Sequence, residues 1–231
     1  MKIAILIYNG MTMLDAIGPY EVLSNLPDVK IFFVAKKRGI IKADTGFVEL
    51  KAKYSFKEVT DADILIVPGS SIAFIDVLKD QKTLDWIKLI DSTTKYTTSV
   101  SSGSIILAKA GLLKDLHATS HWKSTPLLKE YHAIFKPDRV VRDGKYFTSA
   151  GVSAGIDLAF MLCDDLVGED QTRAIQLVLE YDPKPIYHSG NIKNCEENIV
   201  KNAEKIMSKN AKREMGFFKM FSNRKVLNKM K

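Results

Sequence analysis

The sequence predicts an α/β fold in which a mainly parallel sheet carries helices on both faces. Short apolar runs such as residues 3–7 and 64–67 are typical of strands that are buried on both sides. These runs alternate along the chain with segments of helical periodicity, as in parallel strands joined by crossover helices. Ligands of such sheets bind beyond the carboxyl ends of the strands, so the loops that follow the strands are the first candidates for a functional site.

The elements follow from local pattern. Core strands are predicted where branched apolar residues cluster between turn signals, at residues 2–8, 30–35, 63–67 and 96–100. Helices are predicted where apolar residues recur every three or four positions, at residues 15–26, 73–92, 105–110, 124–131, 152–167 and 171–180. Smaller strands are predicted as a hairpin within residues 40–50, a short strand at 117–120, and a hairpin of 139–142 with 145–148 across Asp143-Gly144.

The composition is that of a globular protein, because 46% of the 231 residues are hydrophobic and 26% are charged. No apolar run approaches the roughly 20 residues that cross a bilayer, and the N-terminus lacks the apolar stretch of a signal peptide. We therefore expect a cytoplasmic protein with no membrane partner. The two cysteines, Cys163 and Cys195, lack the spacing of a metal site or a redox pair, and Cys163 is expected to be a buried helix thiol.

The C-terminal end differs from the rest of the chain in charge. From Lys201 onward it holds 10 Lys or Arg against two Glu, a net charge of +8, whereas the whole chain carries +7. We predict one domain over residues 1–190 and a basic, helical extension over residues 191–231, with a helix at 198–213. The extension has neither paired zinc ligands nor a recognition-helix pattern, so a solvated basic helix is favoured over a nucleic-acid-binding element.

The strand-to-helix turn at residues 98–104, Thr-Ser-Val-Ser-Ser-Gly-Ser, is the most informative segment. Its small residues let the chain bend sharply and present the side chain of Ser101 above the sheet, as in a nucleophile elbow. The helix that follows directs its amide-rich N-terminus at this position, which favours developing negative charge. Such a cluster taken alone is more often a simple helix cap, so the surrounding loops decide between the two interpretations.

Two further loops are expected at the same edge of the sheet. The turn Pro68-Gly69-Ser70 supplies backbone amides that are expected, together with the amide of Ser102, to form an oxyanion hole. Asp15 adds a carboxylate after the first strand. It either stabilises the start of a helix or, where a pocket removes it from water, has a raised pKa and exchanges protons near neutral pH.

Six segments resemble motifs of the DJ-1/PfpI superfamily. They are residues 14–23 (LDAIGPYEVL), 66–69 (IVPG), 98–104 (TSVSSGS), 110–113 (AGLL), 118–122 (ATSHW) and 150–157 (AGVSAGID). The resemblance extends from Lys2 to about residue 190 and is strongest to the isonitrile hydratases. It implies a flavodoxin-like (class I glutamine amidotransferase-like) three-layer sandwich. It also implies a homodimer that converts a small isonitrile, R–N≡C, to the N-formamide without a metal or an organic cofactor.

The same resemblance implies roles for three residues. A nucleophilic cysteine stands in the family at the position of Ser101, a hydroxyl residue at that of Ser102, and a general acid/base aspartate at that of Asp15. A cysteine at a helix N-terminus is largely ionised, whereas a serine needs an adjacent base, and no histidine lies in this turn. We therefore predict a hydratase-like lyase that is impaired by Ser101. This serine is either a Cys-to-Ser replacement or the natural residue of a lineage that lost or altered catalysis.

Other functions stay open on the sequence alone. A non-catalytic protein that binds small molecules in the same pocket is the main alternative. A glyoxalase-like activity would also need the missing cysteine, together with a glutamate such as Glu21. A peptidase of the PfpI type is disfavoured because position 102 is Ser and not His, and an AraC-like regulator would need a helix-turn-helix domain that the residues after 190 are too few to form.

An aromatic side chain is expected to complete the pocket. Trp122 follows the short strand at 117–120, and we expect its ring to form an apolar wall for the substrate. The competing interpretation is a packed Trp beside a hydrogen-bonded His121 with no role in binding.

Overall fold

The computed structural model describes the backbone of residues 1–222 and 224–230, and the side chains of residues 1–212, 226, 227, 229 and 230. The strands are β1 (Lys2–Leu6), β2 (Lys30–Ala35), β3 (Gly39–Lys42), β4 (Glu49–Ala52), β5 (Tyr54–Ser55), β6 (Ile64–Val67), β7 (Tyr96–Val100), β8 (His117–Ala118), β9 (Ile134–Phe135), β10 (Val140–Asp143) and β11 (Tyr146–Ser149). The helices are α1 (Met13–Leu23), α2 (Phe74–Val77), α3 (Gln81–Asp91), α4 (Gly103–Lys109), α5 (Thr125–Glu130), α6 (Ala154–Val167), α7 (Glu169–Val178), α8 (Glu197–Ser222) and α9 (Arg224–Lys229), with a 3-10 turn at Ile192–Asn194.

Seven strands form the central sheet in the order β10-β11-β7-β6-β1-β2-β5. All neighbouring pairs are parallel except β10 with β11, which form the hairpin predicted around Asp143-Gly144. The chain moves outward from β1 in one direction through β2 and in the other through β6, so the order reverses between β1 and β6. In a sheet of this kind, that reversal marks the edge at which ligands bind. The predicted three-layer α/β sandwich with a mainly parallel sheet is confirmed.

Hydrophobic residues fill both faces of the sheet. In β1, Ala4 and Leu6 belong to a core that also contains residues of α2, α3, α4 and α5. Ile3 and Ile5 belong to the opposite core, with residues of α1, α6 and α7. Successive side chains of a strand point to opposite faces, so a strand covered on both sides must be apolar at every position. This requirement explains the uninterrupted apolar runs of the sequence.

Some elements differ from the prediction. The helix predicted over residues 73–92 is two helices, because Asp80 is extended (φ −93°, ψ 90°) and its carboxylate binds Lys36 at 2.8 Å. The first helix begins at Met13 and not at residue 15, which puts Asp15 in its first turn. The short strand predicted at 117–120 is limited to β8, and the two-residue strands β5 and β9 were not predicted.

The C-terminal helices return to the body of the protein. The helix predicted at 198–213 lies within α8, and Ala211, Val226, Leu227 and Met230 pack against the core beside α5. Ion pairs join Glu204 to Lys123 and Lys229 to Glu130. Half of the ten basic side chains predicted to make the extension cationic lie outside the described side chains: Arg213, Lys219, Arg224, Lys225 and Lys231. The boundary at residues 190 and 191 stays a prediction.

No helix in the described part of the chain is both long and apolar enough to cross a membrane.

Candidate functional site

Three loops meet at the carboxyl ends of β1, β6 and β7. The amide of Thr12, in the loop after β1, donates to the carbonyl of Gly69 at 3.0 Å. The amide of Gly69, in the loop after β6, donates in return to Oδ2 of Asp15 at 2.9 Å. Gly69 also lies against Ser102, which follows β7. The loops that carry Asp15, Gly69 and Ser101-Ser102 are therefore brought together at one edge of the sheet, where the carboxyl ends of parallel strands meet.

The turn after β7 bends sharply at Ser101. Ser101 is a non-glycine residue with a positive φ of 58°, a conformation in which the β-carbon approaches the following carbonyl oxygen. Its side chain is almost buried, since the residue is 5% exposed. The main chain on either side is anchored: the Ser101 amide donates to the Ser149 carbonyl at 3.1 Å, and the Ser101 carbonyl accepts from the hydroxyls of Ser104 (3.1 Å) and Ser120 (3.0 Å).

The close approach of β6 and α4 requires glycine at the start of the helix. A β-carbon on Gly103 would overlap the carbonyl oxygen of Val67. Glycine at this position therefore lets the N-terminus of α4 pack directly on the end of β6. That packing sets the short distance between the loop after β6 and the turn at Ser101.

Ser102 does not point into open space. Its Oγ accepts from the amide of Ser70 at 2.9 Å and donates to the Ser70 carbonyl at 2.9 Å. The Ser70 hydroxyl in turn accepts from the amide of Phe74 at 2.6 Å. The Ser102 side chain thus joins the turn after β7 to the loop after β6.

These contacts involve two of the backbone amides that the sequence predicted for an oxyanion hole. The amide of Gly69 is directed at the Asp15 carboxylate, and the amide of Ser70 is directed at the Ser102 hydroxyl. Both donors already have protein partners, which sequence reasoning could not show. A ligand that used the Gly69 amide would have to take it from Asp15.

Asp15 has the most unusual environment in this region. It is fully buried, and its Oδ1 has no hydrogen-bond partner among the described residues. Removal from water raises its pKa, the Gly69 hydrogen bond lowers it, and the nearby carboxylate of Asp44 raises it, with a net value of about 7. At neutral pH the carboxyl group is therefore divided between its acid and its base form, as a proton-transfer group requires.

His121 and Trp122 lie farther along the same edge. Burial lowers the pKa of His121 to about 4, so this imidazole is neutral at physiological pH. The rings of His121 and Trp122 lie 5.6 Å apart, and Nζ of Lys123 lies 5.4 Å from the centre of the Trp122 ring. Trp122 is connected to the turn at Ser101 through the segment that contains Ser120, and its role as a wall for a substrate stays a prediction.

Other residues considered from the sequence have structural partners or are exposed. Asp157 pairs with Arg139 and accepts from the Tyr181 hydroxyl at 2.6 Å. Cys163 is buried, as expected, and burial raises the pKa of its thiol to about 12. Glu21 is exposed on α1.

Sequence reasoning missed two residues beside Asp15. Thr12 and Asp44 are joined by a hydrogen bond of 2.9 Å between the Thr12 hydroxyl and Asp44 Oδ2. The one sequence signal at Asp44 was the turn Asp44-Thr45-Gly46, which indicates a hairpin. That turn does not indicate that Asp44 lies next to Thr12.

Comparison with known proteins agrees with this architecture. The model of the DJ-1/PfpI family matches residues 1–165. The chain is 39% identical over 205 residues to the isonitrile hydratase of Pseudomonas putida, which covers 89% of both proteins. A crystal structure of a ThiJ/PfpI family protein from Pseudomonas syringae superposes with a TM-score of 0.85 at 34% identity, covering 94% of this chain and 90% of that one. DJ-1 of Schizosaccharomyces pombe shares the fold, with a TM-score of 0.68 at 19% identity over 79% of this chain and 100% of that one. The protein belongs to the DJ-1/PfpI family.

Proposed function

We propose that the protein is an isonitrile hydratase-like lyase, which adds water to R–N≡C to give R–NH–CHO, and that serine at position 101 makes it slow. The observation that carries the proposal is the buried carboxyl of Asp15. One of its oxygens lacks a hydrogen-bond partner among the described residues, and its pKa lies at about 7 next to the turn of Ser101. The similarity to the isonitrile hydratase of Pseudomonas putida over 89% of the chain supports the choice of substrate class.

The proposed chemistry needs one nucleophile and one group that exchanges protons. The Ser101 oxygen forms a bond to the terminal isonitrile carbon, Asp15 gives that carbon its proton, and the hydroxyl proton passes to Asp15. The product is a formimidate ester, R–N=CH–O–Ser. Water then adds to the same carbon and the bond to Ser101 breaks. One proton of the water ends on the nitrogen and the other on the serine oxygen, which releases R–NH–CHO.

The low rate follows from the nature of the nucleophile. A serine hydroxyl at neutral pH is almost entirely protonated, whereas a cysteine at a helix N-terminus is substantially ionised. Asp15 has to serve both as the base for Ser101 and as the acid for the substrate carbon. Because its pKa is about 7, it is a weak base for an alcohol.

The test is to supply the thiol. Purified Ser101→Cys is incubated with cyclohexyl isonitrile and with an aromatic isonitrile, and formamide is measured by liquid chromatography. We expect clear formamide production by this variant, little by the wild type and none by Ser101→Ala. Adding Asp15→Asn to Ser101→Cys should lower the rate by a factor of about 10² to 10⁴, the usual contribution of a general acid or base.

A matched control places the thiol one residue away. Ser102→Cys carries the same sulfur in the same turn, but at a position where the structure directs the side chain at Ser70. It should produce no more formamide than the wild type, which has the same Ser101. A folded Ser101→Cys protein that forms no more formamide than buffer would contradict the proposal.

Serine at position 101 also favours a second function, namely binding of a small molecule without catalysis. A site with a buried acid and no ionisable nucleophile at position 101 is suited to binding a small molecule without converting it. Calorimetric titration of the wild type with the same isonitriles and with small aldehydes separates this case: saturable binding without formamide indicates a binding protein. Glyoxalase-like chemistry has less support, because Glu21 is exposed.

The predicted cytoplasmic homodimer also stays a proposal. Leu14 on α1 and Met161 on α6, two helices that contact each other, are 43% and 40% exposed. Apolar side chains on neighbouring exposed helices are suited to a contact between two copies of the chain. Light scattering should give twice the chain mass of 25.9 kDa, and a monomer at micromolar concentration would contradict the expectation.

A further inference from the structure

The small hairpin of β3 and β4 lies outside the central sheet, yet it is fixed to the loop that precedes α1. The amide of Gly10 donates to the Lys42 carbonyl at 2.8 Å, and the amide of Lys42 donates to the side chain of Asn9 at 2.9 Å. The amide of Asp44 donates to the Met11 carbonyl at 3.0 Å. These bonds make the hairpin part of the wall around the first turn of α1.

Thr12 connects the hairpin to the buried acid. Its hydroxyl donates to Asp44 Oδ2 at 2.9 Å, and its carbonyl accepts from the amide of Asp15 at 3.1 Å. Its own amide donates to Gly69, whose amide binds the Asp15 carboxylate. A single residue therefore fixes the Asp44 carboxylate, the first turn of α1 and the loop after β6 with respect to one another.

We infer that Asp44 is a positioning residue for proton transfer: the hairpin, anchored through Thr12, holds the Asp44 carboxylate next to the first turn of α1, where the buried Asp15 carboxyl lies. The inference rests on the proposed function in one respect, namely that Asp15 handles the proton of the reaction. It adds to that function a residue of a different element, which does not touch the substrate.

The other charged groups near this site do not substitute for Asp44. On α1, Glu21 is exposed to water, and on α6 Asp157 is paired with Arg139. His121, in the segment after β8, is neutral above about pH 4 because burial lowers its pKa to about 4.

Asp44 itself is not neutralised by a neighbour. On the hairpin, Lys42 pairs with Glu49, and Asp44 forms no ion pair with any Lys, Arg or His among the described side chains. Burial is the largest cause of the raised pKa of Asp15, and the Asp44 carboxylate adds a smaller effect in the same direction.

The test observes the Asp15 carboxyl directly and needs no turnover. Protein labelled with ¹³C at the aspartate side-chain carboxyl is titrated by NMR, and the Asp15 signal is identified by its loss in Asp15→Asn. In the wild type we expect a midpoint near the value of about 7. In Asp44→Asn, which keeps an oxygen for the Thr12 hydroxyl, the midpoint should fall below that of the wild type, because a nearby like charge has been removed.

A control variant removes a carboxylate elsewhere. Asp182→Asn takes the same charge from an exposed pair with Lys184 and should leave the Asp15 midpoint unchanged. If Asp44→Asn does not fold, Asp44→Ser, which is also neutral and suited to a turn, replaces it. An Asp15 midpoint that is the same in the Asp44 variant and in the wild type would overturn the inference.

The catalytic readout separates this inference from the proposed function. In the Ser101→Cys background, the pH profile of formamide production should move to lower pH with Asp44→Asn by the same amount as the NMR midpoint. A shifted midpoint without any formamide contradicts the hydratase proposal and leaves the role of Asp44 intact. Formamide production with an unshifted midpoint and pH profile contradicts the role of Asp44 alone.

Discussion

Gly69 approaches Ser102 so closely that a β-carbon at position 69 would lie 2.6 Å from both the backbone nitrogen and the Oγ of Ser102. No β-carbon is accommodated at that distance without movement of the backbone. The same glycine supplies the amide that binds Asp15, so its small size is what allows the acid and the turn of Ser101 to share one site.

Gly69→Ala should therefore destabilise the protein. We expect a loss of about 1–3 kcal/mol in the free energy of unfolding, the usual cost of overpacking a buried site. Urea unfolding followed by circular dichroism measures it. Gly151→Ala is the matched control, because a β-carbon there meets only His121 Cδ2 at 3.8 Å, an ordinary contact. Equal midpoints for the two variants would show that the contact between residues 69 and 102 is not tight.

The raised pKa of Asp15 predicts a pH dependence of stability. The pKa is about 7 in the folded protein and 3.8 for an ordinary aspartate, so between these values the folded state holds a proton that the unfolded state has released. Stability should fall by a few kcal/mol as the pH rises from about 4 to about 7 and should be constant with respect to this group above that range. Asp15→Asn should lack this decrease, and parallel pH profiles for the two proteins would contradict the raised pKa.

The positive φ of Ser101 predicts a difference between two small substitutions. Ser101→Gly should be more stable than Ser101→Ala by about 1 kcal/mol, because glycine adopts this conformation without a steric penalty. Both variants lack the hydroxyl, so the comparison isolates the backbone. Thermal and urea unfolding measure the difference. Indistinguishable stabilities would mean that the turn is not strained.

The two cysteines should differ in reactivity. Cys163 is buried with a pKa raised to about 12, whereas Cys195 is partly exposed. In the folded protein, iodoacetamide at pH 8 should modify Cys195 and leave Cys163 unmodified until denaturant is added, since the thiolate is the reactive form. Peptide mass spectrometry identifies the modified residue. Rapid modification of Cys163 would reveal a reactive thiol in addition to the site at Ser101.

The core of the fold was predictable because its signals are local. The strand β6 and residues 3–6 of β1 are apolar at every position. Gly111, with a φ of 84°, follows the end of α4, as is common for glycine after a helix. The strands β5 and β9 were missed because two residues carry no periodicity. The break between α2 and α3 was missed although its signal is local: Asp80, a residue type common at helix N-caps, directly precedes α3.

The site was only partly predictable, because several of its contacts join segments that lie far apart in the sequence. The expectation of a parallel sheet put the three loops at one edge, and the turn composition indicated Ser101. The pairing of the Gly69 and Ser70 amides with side chains, and the position of Asp44 beside Asp15, arise from contacts between distant segments. Thr12 and Asp44 are separated by 32 residues, and neither lies in a pattern that indicates the other.

The main chain at position 101 is held by Ser149, Ser104 and Ser120, and none of these three bonds uses the side chain of residue 101. Oxygen and sulfur can therefore replace each other there while the shape of the turn stays the same. Four of the six serine codons differ from a cysteine codon by one base, so under the proposed function a single mutation in the gene would separate a protein that binds the small molecule from an enzyme that converts it. Such an exchange would leave the main-chain bonds of the turn as they are.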